Sequence, residues 1–408
     1  MTLHSRRRVL VCAFAVLVAG GLWGCNAFDG SLLPSDAGLP DTGPADSGPY
    51  DGGPSRQPPP RPTVGDGPDM FPTLDFFLKD VVLKQDGDAW RGIGFDLDHL
   101  VSQGDMPVVE CVPPKRTARP ELDGDEGIDN AFGHVLFPLV NLVVPDIDMT
   151  ARQSEQEGLG AIAVRIRGYN GLADDPRVDV TVAQTVVGTT GGPDDTMPPA
   201  IDINDFVAYL PDGSTAPLPA WDGNDWFWVR EESFAAGDET RPRIQDNNAY
   251  VADHQLVMHL PDGVEIVLPG PMQGVTAVLT NGLVVGRIAD DFTSFGPVVV
   301  GGRWPVNALL ETAQALGVCV GDTQFTILTQ QLDTIADIRA TPGTGGADVP
   351  CDAISIGVTF MGFLGRWAAL TPGQPLPNQC ELRMMDGGVS DASTPTDAGT
   401  DAGVDAGG

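Results

Sequence analysis

The sequence is poor in positive charge and in aromatic side chains, and it has no long uninterrupted apolar run. Its 23 Lys and Arg face 56 Asp and Glu, so the formal net charge at pH 7 is −33. Nucleic acid is bound by basic surfaces that attract phosphate, and docking on anionic lipid by charge needs the same kind of surface. The composition therefore argues against both kinds of partner.

Sequence signatures of catalysis are also missing. There is no HExxH motif, no Walker A loop and no GxGxxG turn after a strand. No CxxC pair occurs, which argues against redox catalysis and zinc ribbons. Ala353–Gly357 (AISIG) loosely matches the serine nucleophile elbow of hydrolases, but that elbow needs a sharp strand-to-helix turn, and Ser355 lies inside an unbroken strand pattern.

What the chain has in excess is glycine (51) and proline (36) among 408 residues. Both residue types break helices, so a helical bundle is excluded, while 42% apolar residues are too many for a wholly disordered chain. Ala161–Tyr169 and Val178–Val187 alternate apolar and polar side chains, as strands do. We therefore predict a mainly β protein: an antiparallel β-sandwich with a few packed helices.

Turn and helix signals complete this prediction. Asn281-Gly282 separates two strand-like runs and predicts a hairpin. Pro261-Asp262-Gly263 also lies between two such runs and predicts another turn. Apolar spacing and end signals predict three helices, over Asp129–Val143, Pro305–Gly317 and Asp322–Arg339.

The N-terminus has the parts of an export signal. Arg6–Arg8 form a basic region, and the apolar run Val9–Gly21 is shorter than the about 20 residues of a membrane-spanning helix. The segment Leu22-Trp23-Gly24-Cys25 that follows resembles the lipobox of bacterial lipoproteins, although a small residue is usual where Trp23 stands. A signal peptide cut elsewhere and an uncleaved anchor are the alternatives.

This resemblance implies a maturation route. Residues 1–24 would be the signal peptide, Cys25 would be lipidated, and Asn26 rather than Asp after it would favour the outer over the inner membrane. The protein would then be exported and anchored in the outer membrane, on its periplasmic face or on the cell surface.

Both ends of the chain are of low complexity. Residues 25–70 and 386–408 are rich in Asp, Gly and Pro or Ala and cannot bury enough surface to fold, so we predict a disordered tether and a disordered tail. Such tracts after a lipobox resemble those of secreted lipoproteins of myxobacteria. Residues 71–385 then form the β-rich globular domain, as one unit or as two subdomains, and this domain carries most of the acidic excess.

Cysteine usage fits an exported chain. Once Cys12 is removed with the signal and Cys25 is lipidated, four cysteines remain, enough for two disulfides in three connectivities. The spacing does not decide between them. We favour Cys351–Cys380 together with Cys111–Cys319.

An aspartate-rich segment, Leu122–Asn130, is the sharpest local motif. Asp123, Asp125 and Asp129 stand at positions 1, 3 and 7 of a calcium-loop count, and hard oxygens suit Ca²⁺. The motif resembles the calcium turns of EF-hand-like and thrombospondin-type repeats, but it has Ile128 and Val135 where an EF-hand has Gly and Glu. The alternative is a solvated turn that ends in a helix cap.

A tryptophan cluster is the second motif. Trp221, Trp226 and Trp228 alternate with Asp and Asn, and such a set could stack on a sugar ring while the polar groups bind hydroxyls. The alternative is a turn at Asp222–Asp225 feeding a strand whose Trp226 and Trp228 share one buried face.

The leading interpretation is a lipid-anchored cell-envelope protein with a non-catalytic binding or structural β-rich domain. Its partners would be the membrane, through the N-terminal lipid, and a glycan or an envelope protein, but not nucleic acid. One alternative is a Ca²⁺-dependent carbohydrate-binding module that uses the Asp and Trp motifs. The other is a secreted hydrolase of unrecognised type.

Overall fold

The computed structural model describes residues 56–63, 67–104, 107–143, 146–204, 207–268, 275–373 and 378–386. The predicted signal peptide, the predicted lipidation site Cys25, most of the predicted tether and nearly all of the predicted C-terminal tail lie outside these residues. Within the described ranges no single helix is long and apolar enough to cross a membrane, and only the bent pair Phe132–Leu142 and Ile147–Gln156 reaches that length and composition jointly.

Strands dominate the fold, as predicted. In chain order they are β1 (Leu74–Val82), β2 (Ile162–Arg167), β3 (Asp175–Thr189), β4 (Asp202–Asn204), β5 (Val207–Tyr209), β6 (Trp226–Arg230), β7 (Ile244–Ala252), β8 (Gln255–His259), β9 (Val264–Leu268), β10 (Val275–Ile288), β11 (Ser294–Pro305), β12 (Ala353–Leu364) and β13 (Arg366–Thr371).

The main sheet closes on itself instead of forming a clear sandwich. Going round in the order β3, β2, β1, β12, β11, β10, β8 and β7, each strand pairs antiparallel with the next, and β7 pairs back onto β3. The result is an eight-stranded antiparallel barrel. The predicted antiparallel, mainly β class is confirmed. The sandwich is corrected to a barrel, because β3 pairs with β2 on one edge and, over its N-terminal half, with β7 on the other.

The barrel interior is filled by apolar side chains. One hydrophobic cluster takes residues from all eight barrel strands. Three of its large members, Phe76, Phe295 and Phe360, are at most 1% exposed. On β2 and β3 the alternating residues Val164 and Val180 belong to this cluster, as the sequence pattern predicts. The lumen is therefore a packed core and not a ligand chamber.

A second, smaller layer covers one outer wall of the barrel. The C-terminal half of β3 pairs with β6, and β6 pairs in parallel with β13. Phe77 on β1 stacks on Phe227 of β6 with ring centroids 4.0 Å apart. Arg165 on β2 lies under the Trp367 ring at 4.0 Å and holds Asp75 through two hydrogen bonds of 2.6 and 2.8 Å. This layer buries outward-facing side chains that would otherwise contact solvent.

The described residues form five α-helices: α1 (Phe137–Val143), α2 (Ile147–Gln156), α3 (Val306–Ala315), α4 (Thr323–Ile335) and α5 (Gln379–Asp386). A π-helical turn over Phe132–Leu136 precedes α1, so the first predicted helix is present with an irregularity just before Pro138. The other two predicted helices correspond to α3 and α4, and α2 and α5 were not predicted. Apolar residues of α3, α4 and the π turn join the cluster in the lumen.

The predicted turn is present, but the predicted hairpin at Asn281-Gly282 is wrong. The turn Pro261-Asp262-Gly263 joins β8 to β9 as expected, with the Val264 amide donating to the Pro261 carbonyl at 3.3 Å. Asn281-Gly282 is not a turn, because β10 runs through it with a change of register. Asn281 has a positive φ of 48°, and on one side of β10 the partner changes here from β9 to β8. The dipeptide forms a bulge that bends the strand.

All four described cysteines form disulfides, but not in the favoured pairing. Cys111 bonds to Cys351 and Cys319 to Cys380, with Cα atoms 5.2 and 5.4 Å apart. The residues beside the first pair already lie in contact, because the Cys351 amide donates to the Val112 carbonyl at 2.8 Å. This long-range contact, which spacing does not reveal, decides the connectivity. The two disulfides indicate an extracytoplasmic location.

Candidate functional site

The candidate site lies on the outer wall of the barrel, over β11 and β12. Gly301 and Gly357 face each other across these strands. A Cβ at Gly301 would lie 2.7 Å from the Phe95 ring, and one at Gly357 only 2.4 Å from the Ile93 carbonyl oxygen. The two glycines therefore let the chain around Ile93 rest directly on the sheet, because a larger side chain would push it away.

Asn130 fastens this chain to the sheet. Its Oδ1 accepts hydrogen bonds from the backbone amides of Gly357 and Gly133, both at 3.0 Å, and its Nδ2 donates to the Ile93 carbonyl at 2.8 Å. The residue is only 2% exposed. A buried amide with these partners holds the neighbouring Asp129 in a defined place.

Three aspartates meet where two loops cross this wall. Asp96 and Asp98 come from one loop and Asp129 from the other, and one carboxylate oxygen of each lies within 4.8 Å of the others. Asp96 is 2% and Asp129 6% exposed, while Asp98 is half-buried. The loops are tied together because Asp129 Oδ2 accepts a hydrogen bond from the Leu97 amide at 2.7 Å.

A narrow cavity adjoins these aspartates. It is lined by the six carboxylates of Asp98, Glu110, Glu121, Asp123, Asp129 and Asp337, and no lysine or arginine is found among its described lining residues. We call this cavity, together with Asp96, the acidic recess. Two of its carboxylates have basic side chains as partners: Glu110 pairs with Arg303 at 2.8 Å, and Glu121 lies 3.0 Å from His134 Nδ1.

Burial and mutual repulsion raise the pKa values of four aspartates that line the recess. Burial, reinforced by the Asp96 charge, raises the pKa of Asp98 to about 6. Burial raises the pKa of Asp123 to about 8 and that of Asp337 to about 7. The pKa of Asp129 is well above its usual range, because the group is buried and faces Asp98 and Asp123. Ionising all of these groups together would need a counter-charge.

The donor set of the acidic recess suits a hard divalent cation. Carboxylate oxygens are the preferred ligands of Ca²⁺ and Mg²⁺, whereas softer metals favour imidazole and thiolate. Asp96, Asp98 and Asp129 are the residues that could hold such an ion, and Asp123 lies close enough for its pKa to respond to the Asp96 and Asp98 charges. A bound cation would offset the repulsion among them.

The predicted calcium residues are only partly brought together. Asp123 and Asp129 both line the acidic recess. Asp125 does not: its side chain is 66% exposed and pairs with Arg91 at 3.1 Å. A short 3-10 turn over Asp125–Gly127, with Glu126 in a left-handed conformation (φ 56°), directs it outward. Asp125 is replaced in the set by Asp96 and Asp98, whose spacing in Phe95-Asp96-Leu97-Asp98 is the only sequence signal for them.

The tryptophan motif is not a sugar platform. Trp221, Trp226 and Trp228 are each 8% exposed, so none of them offers a ring face to a pyranose. Trp226 and Trp228 belong to one buried cluster, which agrees with the alternative interpretation. The accompanying Asp225 serves the turn, because its carboxylate accepts hydrogen bonds from the backbone amides of Ala220 and Trp221.

Ser355 is built into the wall behind the acidic recess. It is fully buried in β12, its Oγ donates to Asp337 Oδ2 at 2.5 Å, and the Ala131 amide donates to Oγ at 2.8 Å. The strand continues through it, so the sharp turn of a nucleophile elbow is not formed. Ser355 positions Asp337 and Ala131, both of which line the recess.

The Cys111–Cys351 disulfide also belongs to this site. Both cysteines line the acidic recess and are at most 3% exposed. The bond joins the chain that carries Glu110 to the segment that enters β12.

Comparison with protein-family models, with curated proteins and with solved structures finds no match to this chain.

Proposed function

We propose that this chain is a lipid-anchored protein of the bacterial outer membrane. Its barrel domain would be a non-catalytic binding or structural module that holds a divalent cation, with Ca²⁺ the expected ion. The observation that carries the cation assignment is the convergence of Asp96, Asp98 and Asp129 within 4.8 Å. The anchoring rests on the lipobox-like segment that ends in Cys25, and export is supported by the two disulfides.

Electrostatics favour a cation in the acidic recess. Asp98, Asp123 and Asp129 repel one another, and burial weakens the screening by water that would relieve this repulsion. A divalent ion supplies the positive charge that the lining lacks, so its binding would order the two loops and stabilise the domain. A role in binding or structure is favoured over catalysis by the buried position of Ser355 and by the filled lumen.

The cation is tested by thermal unfolding of the wild type and two variants. At a Ca²⁺ concentration about 100 times its Kd, stability should rise by about 2.7 kcal/mol, which is roughly 5 °C or more in Tm for a domain of this size. Asp129→Asn should lose most of this shift because it removes one of the three converging carboxylates. In EDTA, however, the variant should be at least as stable as wild type, since it removes a buried like charge.

Asp125→Asn is the matched control for this experiment. It makes the same chemical change four residues earlier in the chain, on an exposed side chain that pairs with Arg91. It should keep the full Ca²⁺ shift. A wild-type Tm that is the same in EDTA, Ca²⁺ and Mg²⁺ would refute the cation site.

Anchoring is tested by cell fractionation. The full-length chain should sediment with outer membranes, and Cys25→Ala should move it to the soluble fraction because no lipid is attached. Cys12→Ala, in the predicted signal peptide, is the control and should not change the distribution. A Cys25→Ala chain that still sediments with membranes would exclude lipidation at this residue.

A further inference from the structure

The chain before β1 is not free of the barrel, although the sequence predicts a disordered tether up to residue 70. Residues 56–63, with the sequence RQPPPRPT, lie along the barrel wall, and we call them the strap. Its far end is held by Arg61, which donates to the carbonyls of Pro176 and Asn248 and lies 4.5 Å from the centroid of the Tyr250 ring. The Tyr250 hydroxyl donates to the Pro59 carbonyl at 2.6 Å.

The near end of the strap is bonded to both loops of the acidic recess. The Arg56 amide donates to the Glu126 carbonyl at 2.8 Å, and the Arg56 carbonyl accepts from the Asp96 amide at 3.1 Å. Gln57 Nε2 donates to the Asp96 carbonyl at 2.6 Å. The strap therefore holds the backbone of Asp96 on both sides and joins it to the loop between Asp123 and Asp129.

From these contacts we propose that the strap regulates the acidic recess. While Arg61 and Tyr250 keep it docked, Arg56 and Gln57 hold the Asp96 loop in the arrangement that binds the cation, and release of the strap loosens that loop and weakens binding. This inference rests on the proposed cation site. It makes the strap a positioning element, since no strap side chain belongs to the converging carboxylates.

Two physical arguments support this coupling. The Asp96 loop contains no regular strand or helix, so hydrogen bonds to its backbone contribute a large share of its local order. Coupling between two sites is also reciprocal: if docking of the strap tightens cation binding, a bound cation must tighten docking by the same factor. A pull on the chain that precedes the strap, or its cleavage there, would then change the cation affinity of the domain.

The test releases the strap at its far end, away from the recess. In the full chain, Arg61→Ala combined with Tyr250→Phe removes the bonds to Pro176, Asn248 and Pro59. Without Ca²⁺, amide hydrogen exchange in residues 94–100 should become at least about fivefold faster. Isothermal titration with CaCl₂ should show a Kd at least about fivefold weaker. Added Ca²⁺ should slow exchange in the strap of the wild type.

The matched control is Arg241→Ala combined with Tyr209→Phe, which changes an exposed arginine and a half-buried tyrosine outside the residues that hold the strap. It should leave exchange and affinity unchanged. If the double variant folds poorly, Tyr250→Phe alone replaces it, because this change removes one hydroxyl and keeps the packed ring. It should show faster exchange in residues 94–100 and weaker Ca²⁺ binding, both to a smaller extent. Unchanged exchange in residues 94–100, or faster exchange with unchanged affinity, overturns the inference while the cation site stands. A wild type that binds no Ca²⁺ overturns both.

Discussion

Replacing Arg303 with methionine is expected to lower the unfolding free energy by about 3–5 kcal/mol. Arg303 on β11 is 1% exposed. Its Nη1 donates to Glu110 Oε2 at 2.8 Å and to the Arg339 carbonyl at 2.7 Å, and its Nη2 donates to the Leu97 carbonyl. Methionine would leave the Glu110 carboxylate without its cationic partner, with only the backbone amides of Arg339 and Gly343 as donors among the described residues. It would also remove the guanidinium donors of the Arg339 and Leu97 carbonyls, which is costly in a low-dielectric interior. Urea unfolding in EDTA, with the disulfides intact, measures the loss.

Two further variants show whether the loss comes from the buried charge. Arg116→Met removes an exposed arginine, 67% accessible, whose ion pair with Asp348 is worth little, so it should change stability by less than about 0.5 kcal/mol. Adding Glu110→Gln to Arg303→Met should recover part of the loss, because the stranded charge is removed. A cost below about 1 kcal/mol for Arg303→Met would show that this arginine does not hold the loops to the barrel.

Alternation of side chains along β2 and β3 could be predicted because it depends only on neighbours in sequence. Val164 and Val180 point into the core whether the sheet is flat, folded over or closed. Closure could not be predicted in the same way. It requires that β3 bond to β2 on one edge and to β7 on the other, which is a long-range choice that a period of two does not encode.

The acidic recess shows the same division between local and distant information. Asp123 and Asp129 are near in sequence, so the calcium-loop count brings them together. Asp96 and Asp98 reach the same place only because Gly301 and Gly357 let their loop lie on the sheet. An Asp-x-Asp pair in a loop has the same pattern whether it forms a turn or a site, and the packing beneath it makes the difference.

Burial of the tryptophans was undecided for a related reason. Aromatic rings interleaved with Asp and Asn fit both a sugar platform and a turn followed by a buried strand. Trp221 is covered by Phe77 and Phe227 between the barrel wall and the second layer. Trp226 and Trp228 lie on β6 itself and are covered in a separate cluster with Val187, Ala208 and Ala216. No local sequence motif predicts that the short strand β6 pairs with the C-terminal end of β3.

Glu155 is the second residue whose substitution is expected to change stability strongly, and it does not belong to the acidic recess. It lies on α2 and is fully buried. Its Oε2 accepts from the Val81 amide at 2.9 Å, at the point where β1 changes register against β12, and no hydrogen-bond partner is found for Oε1 within the described part of the chain. Burial raises the pKa of Glu155 from 4.5 to about 8, with Asp80 adding to the shift and Arg152 opposing it.

This raised pKa makes the contribution of Glu155 to stability depend on pH. The unfolded chain releases the proton near pH 4.5 and the folded protein only near pH 8, so the contribution is fully present below about 4.5 and is lost as the pH rises towards 8. Glu155→Gln keeps an oxygen for Val81 and carries no charge. It should therefore match the wild type near pH 4.5 and exceed it at pH 8.5 by roughly 3–5 kcal/mol.

The difference between variant and wild type isolates Glu155 from the recess aspartates, whose raised pKa values give a pH dependence of the same sign in both proteins. Urea unfolding in EDTA at pH 4.5, 6, 7 and 8.5 measures it. The control is Glu157→Gln, just after the end of α2, where the carboxylate accepts a hydrogen bond from the exposed Gln153. Its unfolding free energy should differ from that of the wild type by the same amount at every pH. A constant difference between Glu155→Gln and wild type over this range would mean that Glu155 ionises normally in the folded protein and that its proton does not help to hold α2 against the bulge of β1.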